Sequence, residues 1–346
     1  MNPNYNVYIY PNNYHRNGKI ENSYLEDLSK ALENEGCSII KGKTGWLGPL
    51  NFFKYIRSAD LFFVNWLEEV EITKLGFLKV PLVIIFLFLL RFTKIKLVWT
   101  IHNKRSHDRK RLYALSLLRR LLFKKSDIII AHAHSDLDVF GENKSLITYY
   151  PHPFKPSTNI SSSNDINKFE FVYDIIIWGR IEKYKGILEF LEYLEEKSLL
   201  SKYKILIHGK CSSDVYWKQL EVFQSESIEI KNNFIDEKEL LVQYSQSKII
   251  LFTYKDDFLL SSGALIHSLN CYKTIFGPDS GNFKDFSKEG IVITYSNFDD
   301  LNSKLDFYLN SNELISQIKI KNLIDKYIWE KYTFFLMTKI NESYNK

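Results

Sequence analysis

Cysteine is scarce in this sequence. The 346 residues include three, Cys37, Cys211 and Cys271, far apart and without a CxxC pair. That spacing excludes a disulfide framework and predicts free thiols in a reducing compartment, the cytoplasm. No signal peptide is expected either, because MNPNYNVYIY has neither a basic n-region nor an apolar h-region. No apolar run reaches spanning length. The stretch VPLVIIFLFLL stops after 11 residues between Lys79 and Arg91, whereas a spanning helix needs about 20. It is read as a buried helix or one lying partly in a membrane interface. Acids are nearly absent from 91 to 125, where Asp108 stands alone among twelve Lys and Arg. So one-sided a block favours an anionic partner: lipid headgroups, a lipid-linked diphosphate or nucleic acid.

What is present is an ordinary globular composition, 45% hydrophobic and 25% charged, long enough for two domains with cores of their own. Short apolar runs alternate with helical patterns twice. NVYIY (6–10), CSIIKG, ADLFFVNW (59–66), IKLVWTIHN (95–103) and SDIIIAHA (126–133) read as strands. Helices fit at 23–36, where Ser23 is a plausible N-cap, and around 74–92 and 109–125. The pattern pauses in a Pro-, Ser- and Asn-rich linker, YYPHPFKPSTNISSSNDINKFE. It restarts with VYDIIIWG, YKILIHG, KIILFTY, YKTIFG and GIVITY as strands. Alternation of this kind predicts parallel sheets with helices on both faces, in two doubly wound domains. The expected division is 1–150, a linker at 151–170, a second domain at 171–326 and a terminal helix from 327 to 346. That helix is aromatic and apolar on one side, so it must dock on something.

The most informative stretch is IIIWGRIEKYKG (175–186). A buried strand ends at Gly179 in three cations, Arg180, Lys183 and Lys185, before Gly186 opens a helix. Ligands of open parallel sheets bind beyond the carboxyl ends of the strands, and helix N-termini favour anions. Arg holds a phosphate bidentately and Lys adds a point charge. A second helix start, SSGALIHSL, places Ser261, Ser262 and Gly263 where small residues let the backbone approach an anion. As a bare pattern it is also an ordinary N-cap.

GRxxxxKG after a strand, followed by NNFIDEKELLVQYSQSKIILFTY, the glycine-led helix and YKTIFG, resembles the donor half of GT-B glycosyltransferases. That resemblance implies an α/β fold of two Rossmann-like domains facing a cleft, with a nucleotide diphosphate sugar held by the second. Arg180 and Lys185 then map onto the diphosphate ligands, and Ser262 and Gly263 onto the helix start that also meets phosphate. Phe234 and Ile235, within NNFIDEKEL, fall where the nucleobase loop lies. The tail IWEKYTFF is similar to the terminal helix that crosses back to the first domain. Retaining family 4 enzymes carry Glu-x7-Glu across the glycine-led helix. Here the second glutamate is replaced by His267 and the first falls near Leu259, with Asp256 and Asp257 just upstream. His267 is left as the candidate contact to donor sugar or ribose.

In the first domain VWTIHNKRSHD (98–108) resembles bacterial enzymes that extend lipid-linked oligosaccharides. Two chemistries stay open. Inversion needs a carboxylate to deprotonate the acceptor, and Asp108 is the candidate base, although the surrounding cations depress its pKa. Retention needs none, and His102 then contacts the sugar with Asn103 beside it. AHAHSD (131–136) places His132 and His134 before Asp136 and Asp138. A strand leading into a Ser-capped helix accounts for these better than a metal site. Arg16, Asn17 and Gly18 form a turn of the kind that approaches a donor phosphate. The resulting expectation is a metal-independent, cofactor-free glycosyltransferase. It would bind a nucleotide-sugar donor, a lipid-linked or glycan acceptor and the anionic inner face of the membrane, but no nucleic acid. A non-catalytic scaffold of the same fold and a nucleotide-sugar epimerase are the alternatives.

Overall fold

The computed structural model describes residues 4–12, 15–16, 19–20, 23–40, 48–104, 112–155, 171–255, 260–311 and 315–344. The chain divides into two compact units, 1–153 with 327–346, and 154–326.

Unit 1 opens with β1 (Asn6–Tyr10), a small hairpin of β2 (His15–Arg16) and β3 (Lys19–Ile20), α1 (Ser23–Asn34) and β4 (Ser38–Ile39). Next come α2 (Leu50–Tyr55), β5 (Leu61–Asn65), α3 (Gly76–Leu89), β6 (Lys96–Ile101), α4 (Leu112–Lys125), β7 (Ile128–Ala131) and β8 (Ile147–Tyr149). Six of these strands form a parallel sheet ordered β4-β1-β5-β6-β7-β8. All five residues of β5 are buried, as expected of a strand covered on both faces. Alternate side chains supply the two layers. Val7, Ile9, Leu61, Phe63, Val98 and Ile130 pack under α1. Tyr8, Phe62 and Trp99 meet Phe52 of α2, Phe86 of α3 and Phe123 of α4 on the other face.

The docking of the aromatic tail is visible here. The last helix, running from Trp329 to Tyr344, lays Trp329, Tyr332, Leu336, Met337 and Ile340 against Tyr24, Leu25, Leu28 and Leu32 of α1. Each such burial contributes about 1.5–3 kcal/mol. α3 is not wholly buried. Val83, Phe86 and Leu87 face the core, whereas Phe77, Leu78, Ile85 and Phe88 are exposed, with Phe92 just beyond.

Unit 2 contains β9 (Tyr173–Trp178), α5 (Ile187–Glu196), β10 (Ile205–His208), α6 (Asp214–Glu221), β11 (Ile228–Lys231) and α7 (Glu237–Ser245). It continues through β12 (Ser247–Leu251), α8 (Gly263–Leu269), β13 (Thr274–Pro278), α9 (Gly281–Lys288), β14 (Ile293–Tyr295), α10 (Phe298–Asn310) and α11 (Gln317–Lys326), after which the tail helix α12 returns to unit 1. Its parallel sheet is ordered β11-β10-β9-β12-β13-β14. The two parallel six-stranded sheets with flanking helices make this an α/β fold of two doubly wound units. In each sheet the strand order reverses once, between β1 and β5 and between β9 and β12. Those switch points are where crevices open at the carboxyl ends of strands.

Two local expectations are corrected. Asp136 takes a left-handed backbone with φ 68° and leads into a 3-10 segment, Leu137–Leu146, so Ser135 caps no α-helix there. The strand expected over 126–133 is shorter: β7 ends at Ala131, so His132 and His134 lie beyond it, the first buried and the second exposed. Four strands lie outside the expected set: the β2–β3 hairpin, β8 and β11. All four are short, and β8 merges with the start of the proline-rich stretch.

Candidate functional site

At the switch point of unit 2, β9 stops at Trp178 and the chain turns through Gly179 at φ 94°. A 3-10 turn, Lys183–Lys185, follows, and Gly186 at φ 66° starts α5. Two glycines let three strand ends lie against one another. A Cβ on Gly209 would come 1.9 Å from the Gly179 carbonyl oxygen, and one on Gly186 would come 2.3 Å from that of Thr253. No other residue type fits these contacts. Thr253 then donates its hydroxyl to the Lys185 carbonyl at 2.6 Å, and Lys255 N–H reaches the Tyr184 carbonyl at 3.2 Å.

This packing pins Lys185 in place. The residue is 5% exposed, with Nζ 3.4 Å from the Trp178 carbonyl and 5.5 Å above the Tyr254 ring. Among the described residues no carboxylate comes within ion-pair distance. Burial, then the Arg180 charge, lowers its pKa to about 8, opposed by Glu182. Glu182 itself accepts a hydrogen bond from Ser212 at 2.8 Å. Arg180 is exposed. Arg180 and Lys185 thus form an electropositive corner in which one cation is already stripped of water. A buried charge without a counterion is costly, and an anionic ligand would supply that counterion.

Tyr254 links this corner to the second predicted element. Its hydroxyl lies 3.4 Å from Ser262 Oγ. Ser262 turns out to be committed within the protein: its hydroxyl caps α8 by accepting from Leu265 N–H at 3.2 Å, and its own N–H donates to Asn282 Oδ1 at 3.2 Å. Gly263 has open space where a Cβ would stand. One turn on, the His267 ring lies 5.2 Å from that of Trp178, and its Nδ1 is enclosed without a partner. Burial lowers its pKa, with Glu237 opposing. Arg180, Lys185, Ser262, Gly263 and His267 are therefore brought together around Trp178 and Tyr254. Between β11 and α7, Phe234 projects with 79% of its surface exposed while Ile235 is half-buried. Asn232 anchors that loop by accepting from Cys211 N–H at 2.9 Å.

In unit 1 the strand ends carry a different chemistry. Asn65 donates to the Tyr10 carbonyl at 3.1 Å, which turns its Oδ1 toward His102 Nε2 at 3.0 Å. His102 also stacks on Trp66, ring centres 4.1 Å apart. Asn103 donates to Glu69 at 2.9 Å, and its carbonyl accepts from Arg119 at 2.9 Å. Glu68 is fully buried and bonded to Trp99 Nε1 at 3.0 Å. Burial raises both glutamates, Glu69 to about 7, with Glu68 as its next cause.

His102, His132 and His152 form a buried row around Tyr24, with ring centres 6.0 and 5.3 Å apart. Burial depresses all three, His132 to about 3 and His152 to about 4. The row is therefore neutral at pH 7. No group of three His, Cys, Asp or Glu side chains among the described residues is placed to hold a metal.

His107, Asp108, Asn17, Gly18, Asp256, Asp257 and Leu259 lie outside the described residues. Sequence reasoning passed over Glu68, Glu69, Trp66 and Tyr254. A signal existed for the first three, since NWLEE puts an aromatic and two acids directly after a wholly apolar strand.

No protein-family model matches the chain, and no curated protein matches it. Solved structures do. HepE from Anabaena, determined with UDP-glucose, superposes with a TM-score of 0.67 at 12% identity, over 98% of this chain and 99% of that one. The catalytic domain of starch synthase IV from Arabidopsis thaliana, bound to ADP and acarbose, gives 0.67 at 9% identity over 99% of each. A glycosyltransferase from Rickettsia africae gives 0.62 at 13% identity, over 97% of this chain and 98% of that one. The fold shared with these proteins is GT-B.

Proposed function

We propose that the chain is a GT-B glycosyltransferase that moves a sugar from a nucleotide diphosphate sugar to a growing, lipid-linked surface glycan. The observation that carries this reading is Lys185, a buried cation without a counterion at the switch point of a doubly wound sheet. A diphosphate is the anion that such a corner fits, with exposed Arg180 closing on it from solvent. During transfer the bond between the sugar's anomeric carbon and the diphosphate oxygen breaks, and negative charge collects on the leaving group. A preorganised ammonium, joined by the Arg180 guanidinium, stabilises that charge more than the ground state. Phe234 supplies an exposed aromatic face for the base, and His267 a neutral imidazole for ribose or sugar hydroxyls. Asp108 and His102 remain the candidates for the base and the sugar contact. The donor diphosphate is bound here without a metal. Solved structures of the same fold that hold UDP-glucose or ADP support the ligand class.

The membrane part of the reading rests on α3 and its surroundings. Phe77, Leu78, Ile85, Phe88 and Phe92 are exposed together with Arg91, Lys94, Arg120 and Lys124. Aromatic and aliphatic side chains beside cations suit the interface of an anionic leaflet. No helix among the described residues is long and apolar enough to cross a membrane, so the association would be peripheral, on the cytoplasmic side.

A melting-temperature screen with UDP, GDP, ADP and CMP tests the donor site. One diphosphate should raise the melting point and the monophosphate should do so far less. No shift with any of the four would overturn the proposal. Release of sugar from the matching nucleotide sugar, with or without acceptor, then separates an enzyme from a scaffold.

A further inference from the structure

Three neighbours in unit 2 converge on the Lys185 ammonium. Gly179 leaves it room, since a Cβ there would stand 3.0 Å from Nζ. The Trp178 carbonyl accepts from it across a long 3.4 Å. Nζ also lies over the ring of Tyr254, 5.5 Å from its centre. A cation within about 6 Å of an aromatic face is attracted by the ring quadrupole, and more strongly once water has been removed. Lys185 is 5% exposed, so that condition holds here.

The ring is fixed where it stands. Tyr254 is buried, with Phe252 at 5.5 Å and Phe283 edge-on at 5.9 Å between ring centres. Phe283 is itself locked, because a Cβ on Gly277 would come 2.1 Å from its ring. The Tyr254 hydroxyl meets Ser262 Oγ at the start of α8. Burial raises its pKa, so the phenol is neutral. The charged groups around the ammonium act in both directions. Arg180 repels it and Glu182 attracts it from the same loop. Lys255, next to Tyr254, is paired with Glu189 of α5 at 2.5 Å. Tyr184 is raised by burial and neutral as well. Asp256 and Asp257 lie outside the described residues.

We infer that Tyr254 is a positioning residue for Lys185, whose ring face keeps the buried ammonium charged and in place before any ligand arrives. A charge set in advance costs less to bring to an anion. The hold on the ammonium is a property of the unliganded chain; only its use toward a diphosphate rests on the transferase reading above. Burial already lowers the Lys185 pKa to about 8, so a modest further loss would leave the side chain largely neutral at physiological pH.

NMR of lysine isotopically labelled at Cε follows the Lys185 titration directly, without nucleotide, and K185M assigns the signal. Y254F keeps the ring and should titrate within about 0.3 of wild type, whereas Y254L should titrate about one pH unit lower. Calorimetric titration with UDP, GDP and ADP supplies the second arm. For whichever binds, Y254L should cost about tenfold in affinity at about pH 9 and less than about threefold at about pH 6, where the ammonium is charged in either protein. A merely structural tyrosine would cost the same at both. A Lys185 titration unchanged in Y254L overturns the inference, as does a Y254F protein that titrates like Y254L. A lowered titration in Y254L, in a chain that binds none of the three nucleotides, would uphold the role of the ring and sink the transferase reading.

Discussion

Replacing Lys185 by methionine sets stability against ligand binding. In wild type the ammonium is buried, and its pKa falls from 10.5 to about 8. That difference corresponds to about 3 kcal/mol of destabilisation at neutral pH. Methionine keeps the unbranched stem and removes the charge. The unliganded K185M protein should therefore melt higher, by on the order of 5 °C. The same change removes a charge-assisted hydrogen bond to the diphosphate, so nucleotide affinity should fall roughly 10- to 100-fold. pH supplies a second arm. The unfolded chain holds this proton up to 10.5 and the folded chain only to about 8. Wild-type stability should consequently rise with pH across that window, and that of K185M should not. Diphosphate binding needs the ammonium, so wild-type affinity should be flat below about pH 8 and fall about tenfold per unit above it. Scanning calorimetry of both proteins and isothermal titration with the preferred nucleotide measure all three. A K185M protein that melts lower and binds the nucleotide like wild type would show that Lys185 is an ordinary structural lysine.

Arg180 should behave differently, because it is exposed. R180A should change stability by less than about 0.5 kcal/mol yet weaken nucleotide binding at least tenfold, as read by the same titration. The buried histidines should make the fold acid-labile: with folded pKa values depressed below 6.5, they lose stability as pH falls from there toward about 3 for His132. The stability difference between wild type and H132Q, from urea titrations, should change by about 1.4 kcal/mol per pH unit below 6.5. Glu68 and Glu69 oppose it, since raised carboxyls lose stability as pH rises from 4.5, so the difference curve and not the wild-type curve carries the signal. Finally, F88E combined with F92E should abolish flotation with phosphatidylglycerol vesicles, each lost insertion removing about 1.5–3 kcal/mol. Retained flotation would place the membrane contact elsewhere.

The cationic corner of unit 2 was legible as a structural feature because its signals are local. A run of isoleucines closing on Gly179, Arg180, Lys185 and Gly186 spells strand, turn and helix start within one stretch of chain. Ser262 shows the limit. Ser-Ser-Gly before a helix reads equally as an anion contact and as a cap, and only tertiary structure shows that the Ser262 oxygen accepts from Leu265 N–H. Ser135 failed for a related reason, since a left-handed Asp136 diverts the chain before any helix forms.

Sequence alone determined the fold class, the alternation of elements and the place of the cationic loop, because hydrophobic period and glycine position act over a few residues. Tertiary structure decided which side chains lose water and which atoms are left without partners. Lys183 and Lys185 are two residues apart, yet one is exposed and the other is 5% exposed. Glu69, His102 and Trp66 are assembled from two strands by sheet register. Burial and pairing are properties of surroundings gathered from across the chain, so they become visible only once the sheet has closed.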